Sequence, residues 1–309
     1  MSHPGLVEVR LRSWISDDEL TAKVGKILAP SDYNVLCTGP VRLLRPDGQI
    51  LAVYLPGALA AQLGEAWPVL SSIKMMTDNR GKASGTPAER RGDQKRVRTR
   101  RVLSSLVGAI DRDSASKRTG GRLGACRLTA WTGEHVPEWL AMEPLFEAIN
   151  NEFRYSVPAR WQRQQQAAQD THPDWLIGST VFTTVTVNNT YSTGVHQDAG
   201  DLPEGFSTLA VARRGDYRGG HLVLPRYRVA FDMQDGDLLL FDAHEWHGNT
   251  NMWCPHQLDP LARPCPHGCE RISLVTYFRT KVQACESADA EHAKALAAAE
   301  HTPDPEVPE

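Results

Sequence analysis

The amino-acid sequence predicts an α+β fold in which helical segments precede a β-sandwich or jelly-roll core. From Trp175 onward, short apolar runs (STVFTTVTVN, RGGHLVLP, YRVAFDM, GDLLLFD, RISLVTYFR) alternate or cluster at strand length between Gly and Asp-Gly turns. Short strands at that spacing suit an antiparallel sandwich or jelly roll. Ahead of them, EHVPEWLAMEPLFEAINNEFRYSVPARWQRQQ spaces Trp139, Leu140, Leu145, Phe146 and Ile149 along one helical face, which predicts a helix packed behind the sheet. Of the 309 residues, 41% are hydrophobic, enough for a sizeable core.

Taken in order, residues 1–76 read as a small α/β flank on that core. VEVRLRSW is strand-like. SDDELTAKVGKIL reads as a helix capped by Ser16 with acids in its first turn. VRLLRPDGQILAVYLP is a hairpin around Pro46-Asp47-Gly48, and PGALAAQLGEAWPVLSSI reads as a helix. Residues 77–123 form a basic segment, in which RVLSSLVGAIDR reads as a buried helix and SASKRTGGRLG as a flexible loop. Residues 124–283 hold the core, where Trp161 is assigned to packing. Residues 284–309 run from an Ala/Glu-rich helix into a disordered tail, TPDPEVPE.

The net charge of −3 hides an asymmetry, because residues 79–122 carry 13 Lys and Arg against 4 Asp and Glu. Such a cluster predicts contact with a phosphate backbone, which the total charge alone would argue against. The chain has no apolar run of membrane-spanning length and its N-terminus lacks the apolar core of a signal peptide, so an intracellular protein without membrane contact is expected. The cysteines do not suggest a secreted scaffold, and Cys37, Cys126 and Cys285 are scattered.

The segment 191–247 carries the chemistry. It opens YSTGVHQDAGDLPEGFS, where His196 and Asp198 fall on one face if the backbone is extended. It closes GDLLLFDAHEWHGNT, where His247 follows an apolar strand; His244, three residues earlier, is the alternative. Two imidazoles and a carboxylate make the facial set that suits ferrous iron and leaves positions open for dioxygen and a chelating cosubstrate. Downstream, Arg271 leads RISLVTYFR, and a guanidinium binds a carboxylate through two parallel hydrogen bonds without losing its charge. It is expected to hold the far carboxylate of 2-oxoglutarate, with Ser273 on the same strand face adding a hydroxyl. Gly194 and Gly200 bracket the His-x-Asp pair, where backbone must bend close to the ligands.

The stretches TGVHQDAGDLPEGFS, YRGGHLVLPRYRVAFDMQDGDLLLFDAHEWHGNT and RISLVTYFR resemble the TET/J-binding-protein family of nucleic-acid dioxygenases, as do RTRRVLSSLVGAIDR and CRLTAWT upstream. The resemblance spans roughly residues 95–282 and is closer to the J-binding-protein branch, which hydroxylates thymine in DNA. It implies a double-stranded β-helix, iron on His196, Asp198 and His247, and 2-oxoglutarate on Arg271 with Ser273. It also implies a base flipped from the DNA duplex, with Tyr277 stacked on it and Asp201 and Arg279 reading its edge. TET enzymes carry Asn and His at those last two positions. An acceptor at Asp201 and a donor at Arg279 satisfy either thymine or 5-methylcytosine.

Between His247 and Arg271 lies NTNMWCPHQLDPLARPCPHGCE. Cys254, His256, Cys265, His267 and Cys269 are all zinc-ligand types, so a structural zinc site is a candidate there, although the spacing matches no standard finger. A proline-rich surface loop with free thiols is the plainer alternative.

Overall fold

The computed structural model describes residues 5–75, 103–111, 125–256 and 265–300. In chain order the strands are β1 Val7–Arg10, β2 Val35–Cys37, β3 Val41–Leu44, β4 Ile50–Leu55, β5 Ser104–Ile110, β6 Arg127–Leu128, β7 Thr184–Asn189, β8 Ser207–Arg214, β9 Arg218–Gly219, β10 Leu222–Leu224, β11 Val229–Phe231, β12 Asp237–Phe241, β13 Gly248–Asn249, β14 Met252–Trp253 and β15 Glu270–Tyr277. Nine of them form one sheet in the order β1-β3-β4-β12-β8-β15-β7-β5-β6. A smaller sheet, β13-β10-β11-β2, faces it, and β9 pairs with β14. This mixed architecture is the expected α+β class.

Period-two alternation gives the large sheet two different faces. On one, Val185, Val187, Ala210, Ala212, Leu238, Leu240, Ile272 and Leu274 join a core with the helices Ala60–Ser72, Glu143–Ser156 and Pro158–Gln169. On the other, Leu209, Val211, Leu239 and Phe241 meet Leu222, Leu224, Val229 and Phe231 of the smaller sheet. Burying each such side chain is worth roughly 1.5–3 kcal/mol, so a one-residue slip in register would exchange the two faces and is strongly disfavoured.

Several segments depart from the sequence expectation. Residues 104–110 form a strand, not a helix: β5 pairs antiparallel with β7, sends Val107 into the helical core and turns Leu106 to the opposite face. Gly108 has φ +88, and a Cβ there would lie 2.7 Å from the Thr183 carbonyl oxygen, a close approach that no helix allows. The N-terminal flank joins the core through its strands: β1, β3 and β4 extend the large sheet through β4–β12 pairing, and β2 joins the smaller one. The Ser16 capping box is present, but its helix covers only Asp17–Thr21. The single long helix is three, Val136–Ala141, Glu143–Ser156 and Pro158–Gln169, each with a proline in its first turn. Leu140 is consequently exposed, while Leu145, Phe146, Ile149 and Trp161 pack in the core. Cys126 and Cys285, 159 residues apart, form a disulfide that no sequence spacing could reveal. The basic stretches 77–101 and 114–124 and the tail 302–309 lie outside the described residues.

Asp242, after β12, ties the layers together. Its carboxylate accepts from Arg45 of the β3–β4 turn at 3.0 Å, from Arg160 at 3.3 Å and from His244 at 3.0 Å. Burial works against the charge, but the His244 hydrogen bond and the two guanidinium groups outweigh it and hold Asp242 down to about 2, against an ordinary 3.8. A depressed carboxylate stabilises the fold above its unfolded value and ceases to as pH falls through its folded value. We therefore expect roughly 2 kcal/mol of stability to disappear between about pH 4 and pH 2 through this group. In urea titrations across that range, Asp242→Asn should be weaker than wild type at pH 7 and should lack this component of the acid loss. Parallel acid profiles for the two proteins would contradict the assignment.

Candidate active site

His196 and His247 are brought side by side by backbone pairing. Each amide N–H donates to the other residue's carbonyl, at 2.9 and 3.0 Å, and the Asp198 amide donates to the Ala243 carbonyl at 3.0 Å. The side chains follow. His196 Nε2 lies 3.4 Å from Asp198 Oδ1, His247 Nε2 lies 4.0 Å from Asp198 Oδ2, and the two rings are 4.3 Å apart. One ligand atom from each residue falls within 4.8 Å of the others.

The tautomers are fixed as well. His196 Nδ1 sits 2.8 Å from the Gly194 carbonyl oxygen and His247 Nδ1 2.9 Å from that of Glu245. A carbonyl can only accept, so both Nδ1 atoms carry the proton and both Nε2 lone pairs remain for a ligand. Burial and the neighbouring His196 push the His247 imidazole down to about 4, the neutral form a metal requires. His244 is turned to Asp242 instead, and its pKa is raised by that hydrogen bond. Two imidazole nitrogens and one carboxylate oxygen fit a divalent first-row metal with open positions.

The pairing requires close backbone contact. A Cβ at Gly194 would lie 2.4 Å from the Gly25 carbonyl oxygen, and one at Gly248 would lie 3.0 Å from the Val195 nitrogen. Gly200, beyond Asp198, has φ +106.

Strand β15 supplies the far wall. Arg271, Ser273, Val275 and Tyr277 line a cavity of about 180 Å³ that also receives the His196, Asp198 and His247 side chains. Arg271 is 3% exposed, and its buried Nη2 has no hydrogen-bond partner among the described residues. Burial opposes its charge. Such a cation is costly without an anion, and a carboxylate is the complement its planar fork fits. The backbone beside it is constrained. Thr190, at φ +47, donates its amide to the Arg271 carbonyl at 2.6 Å, and its hydroxyl accepts the Arg271 amide at 3.1 Å. A non-glycine residue in the left-handed region is uncommon and accumulates at functional sites.

At the other end of the cavity, Asp201 and Arg279 form an antiparallel backbone bridge, flanked by the Leu202 amide on the Phe278 carbonyl and the Thr280 amide on the Gly200 carbonyl, both 2.9 Å. Burial and the Asp198 charge push Asp201 up to about 7, and its carboxylate accepts from Ser207 at 2.7 Å. Arg279 donates through Nε and Nη2 to Asp111 Oδ2 at 2.9 and 2.6 Å. Asp111 has no sequence motif and ends a strand read as a helix, so its partnership was not foreseeable. Thr186, Asn188, Asn249 and Leu106 also line the cavity. The alternating threonines of β7 were the only sequence signal for this lining.

The second group of candidate ligands divides. Cys254, Cys265 and Cys269 are buried together, with their sulfurs within 4.8 Å of one another. His256 and His267 lie outside that radius, on the exposed side, with rings 5.8 Å apart.

A double-layered β core with two imidazoles, one carboxylate and a buried arginine around one cavity defines a 2-oxoglutarate- and iron-dependent oxygenase domain. The Tet_JBP profile, the oxygenase domain of the 2OGFeDO superfamily, matches residues 115–280, and the chain belongs to that family. Thymine dioxygenase JBP1 of Trypanosoma brucei brucei is 35% identical over 154 residues, which is 50% of this chain and 17% of that protein. Thymine dioxygenase JBP1-B of Trypanosoma cruzi (strain CL Brener) is 33% identical over 233 residues, 75% of this chain and 24% of that one. The chain thus spans about a fifth of the length of these curated relatives. The solved structure of NgTET1 in complex with 5mC DNA shares the fold, with a TM-score of 0.54 at 14% identity, covering 97% of this chain and 92% of that one. Among the described residues, no helix is long and apolar enough to cross a membrane.

Because the Gly194 backbone touches the Gly25 backbone, Gly194→Ala is expected to destabilise the protein by at least about 2 kcal/mol. Gly39→Ala, at a position with nothing within 4 Å, should stay within about 0.5 kcal/mol of wild type. Urea unfolding of the two variants decides it; equal midpoints would refute the close approach.

Proposed function

We propose that this chain hydroxylates the C5-methyl group of a pyrimidine base in DNA, with thymine, giving 5-hydroxymethyluracil, preferred over 5-methylcytosine. The observation that carries the oxygenase chemistry is the buried Arg271 guanidinium, whose Nη2 has no hydrogen-bond partner among the described residues, on the same cavity as His196, Asp198 and His247. That pairing has a direct use: three ligands for iron on one side, and on the other a cation for the far carboxylate of 2-oxoglutarate, with the Ser273 hydroxyl beside it. The curated relatives are named thymine dioxygenases, which supports thymine as the base.

Iron and 2-oxoglutarate, when bound, supply the oxidation: one oxygen atom of dioxygen enters a methyl C–H bond and the other leaves in succinate, with release of carbon dioxide. The protein's part is positional. With Nδ1 of His196 and of His247 engaged by backbone carbonyls, their Nε2 atoms and the Asp198 carboxylate offer three donors to the metal. Arg271 orients the cosubstrate through a bidentate contact and keeps its charge throughout. A methyl group in a stacked duplex cannot reach a cavity of about 180 Å³, so the base leaves the stack. Tyr277 then stacks on it, an interaction worth on the order of 1–3 kcal/mol. Asp201 and Arg279 meet its polar edge, one chiefly as acceptor and one as donor. The basic segment 79–122 supplies phosphate contacts.

Mass spectrometry of nucleosides tests the substrate. With iron, 2-oxoglutarate and DNA containing both bases, 5-hydroxymethyldeoxyuridine is the expected main product. Oxidised 5-methylcytosine alone would reverse the preference, and oxidation confined to free nucleotides or RNA would remove DNA from the proposal. The role of Arg271 has its own test. Arg271→Lys retains the charge but not the fork, and the KM for 2-oxoglutarate should rise about ten- to hundredfold while Mn(II) affinity stays unchanged. An unaltered KM would remove Arg271 from cosubstrate binding.

A further inference from the structure

We propose that Cys254, Cys265 and Cys269 bind a structural zinc ion that fastens the loop entering β15. The three thiols come from two separate stretches and are all buried, at 5%, 9% and 8% exposure. Their sulfurs lie within 4.8 Å of one another. Three thiolates at Zn–S distances near 2.3 Å in a tetrahedral site stand roughly 3.8 Å apart, so the trio needs to tighten by about an ångström at most.

The local backbone is that of a metal-binding turn. Cys265 and Cys269 are separated by Pro-His-Gly, inside the spacing that thiol pairs use on zinc. Gly268 takes φ +68 and donates its amide to the Cys265 carbonyl at 3.0 Å, while the amides of His267 and Cys269 approach the Cys265 sulfur. The β9–β14 pairing delivers Cys254 to the same point. Position 215 must be glycine for this: at φ +71, its Cβ would lie 2.8 Å from the Cys269 Cα.

Ordinary apolar packing explains the cluster less well. A buried cysteine often serves as a small hydrophobe, but among the described residues this cluster holds just Tyr217 and Met252 besides the three cysteines. Soft thiolates with imidazole nearby select zinc among the common cations. His256 follows Cys254 by two residues and His267 lies midway between Cys265 and Cys269. One of these two imidazoles supplies the fourth ligand. The consequence reaches the active site, because Cys269 precedes Arg271 by two residues and Tyr217 faces the Arg271 guanidinium.

The test uses the full chain with His196→Ala and His247→Ala combined, so that the other metal site is disabled. Plasma mass spectrometry should find about one zinc per chain, and adding Cys265→Ser should remove it. Because that serine variant can disturb the loop, the unsubstituted thiol site is also emptied by chelation and refilled with cobalt(II). Intense visible absorption with thiolate-to-cobalt charge-transfer bands is expected, altered by combined His256→Ala and His267→Ala. Zinc-free protein, zinc retained in Cys265→Ser, a weak six-coordinate cobalt spectrum, or a disulfide between two of the three cysteines would each overturn the assignment.

Discussion

The reciprocal hydrogen bonds between His196 and His247 are the constraint on which the rest of the site depends. They join two segments about fifty residues apart in the chain, and they place two imidazoles before any ligand arrives. Holding like groups this close has a cost. A buried, neutral histidine beside another histidine resists protonation, and His247 accordingly sits far below the ordinary imidazole range. The backbone meets that cost locally, since the carbonyls of Gly194 and Glu245 each take an Nδ1 proton. The donor set is therefore organised by main-chain geometry, which side-chain rotamers then follow.

The same economy governs β15. Its even-numbered residues Ile272 and Leu274 are core, and its odd-numbered residues Arg271, Ser273, Val275 and Tyr277 are cavity. One strand thus meets two different environments, and the period of the pleat keeps them apart. Its neighbours repeat the division, with Val185 and Val187 inward and Thr186 and Asn188 toward the cavity on β7. A polar cavity can exist inside the protein because the large-sheet strands around it, β5, β7, β8, β12 and β15, turn an apolar face to the helices.

That periodicity is why much of the site was readable in the sequence. His-x-Asp on an extended segment, a histidine after an apolar strand, and Arg-x-Ser leading another strand each leave a local trace, and the fold brings those side chains to one cavity. The helix over Glu143–Ser156 is equally plain for its length, but the apolar spacing alone does not show that Pro144 and Pro158 each begin a new helix. The segment Ser104–Ile110 misled for a physical reason. A short apolar run has no decisive period, and the missing edge partner of β7, 80 residues downstream, made it a strand. Tertiary pairs without a local signature were out of reach altogether: Asp111 with Arg279, Cys126 with Cys285, and Arg45 and Arg160 with Asp242.

Some of the residues that sequence reasoning missed share a position. The family match covers residues 115–280, yet Asp111, Leu106 and Arg45 precede it. Each acts on the matched region from outside: Leu106 closes one side of the cavity, Arg45 pins the end of β12, and Asp111 fixes the plane of the Arg279 guanidinium. His196, Asp198, His247 and Arg271 lie wholly inside the match. The substrate end of the cavity is different. Arg279 is held at both Nε and Nη2 by the Asp111 carboxylate, just past the end of β5, which limits rotation of its guanidinium. If Arg279 meets the base edge as proposed, a change of substrate would require a change beside β5 as well as on β15.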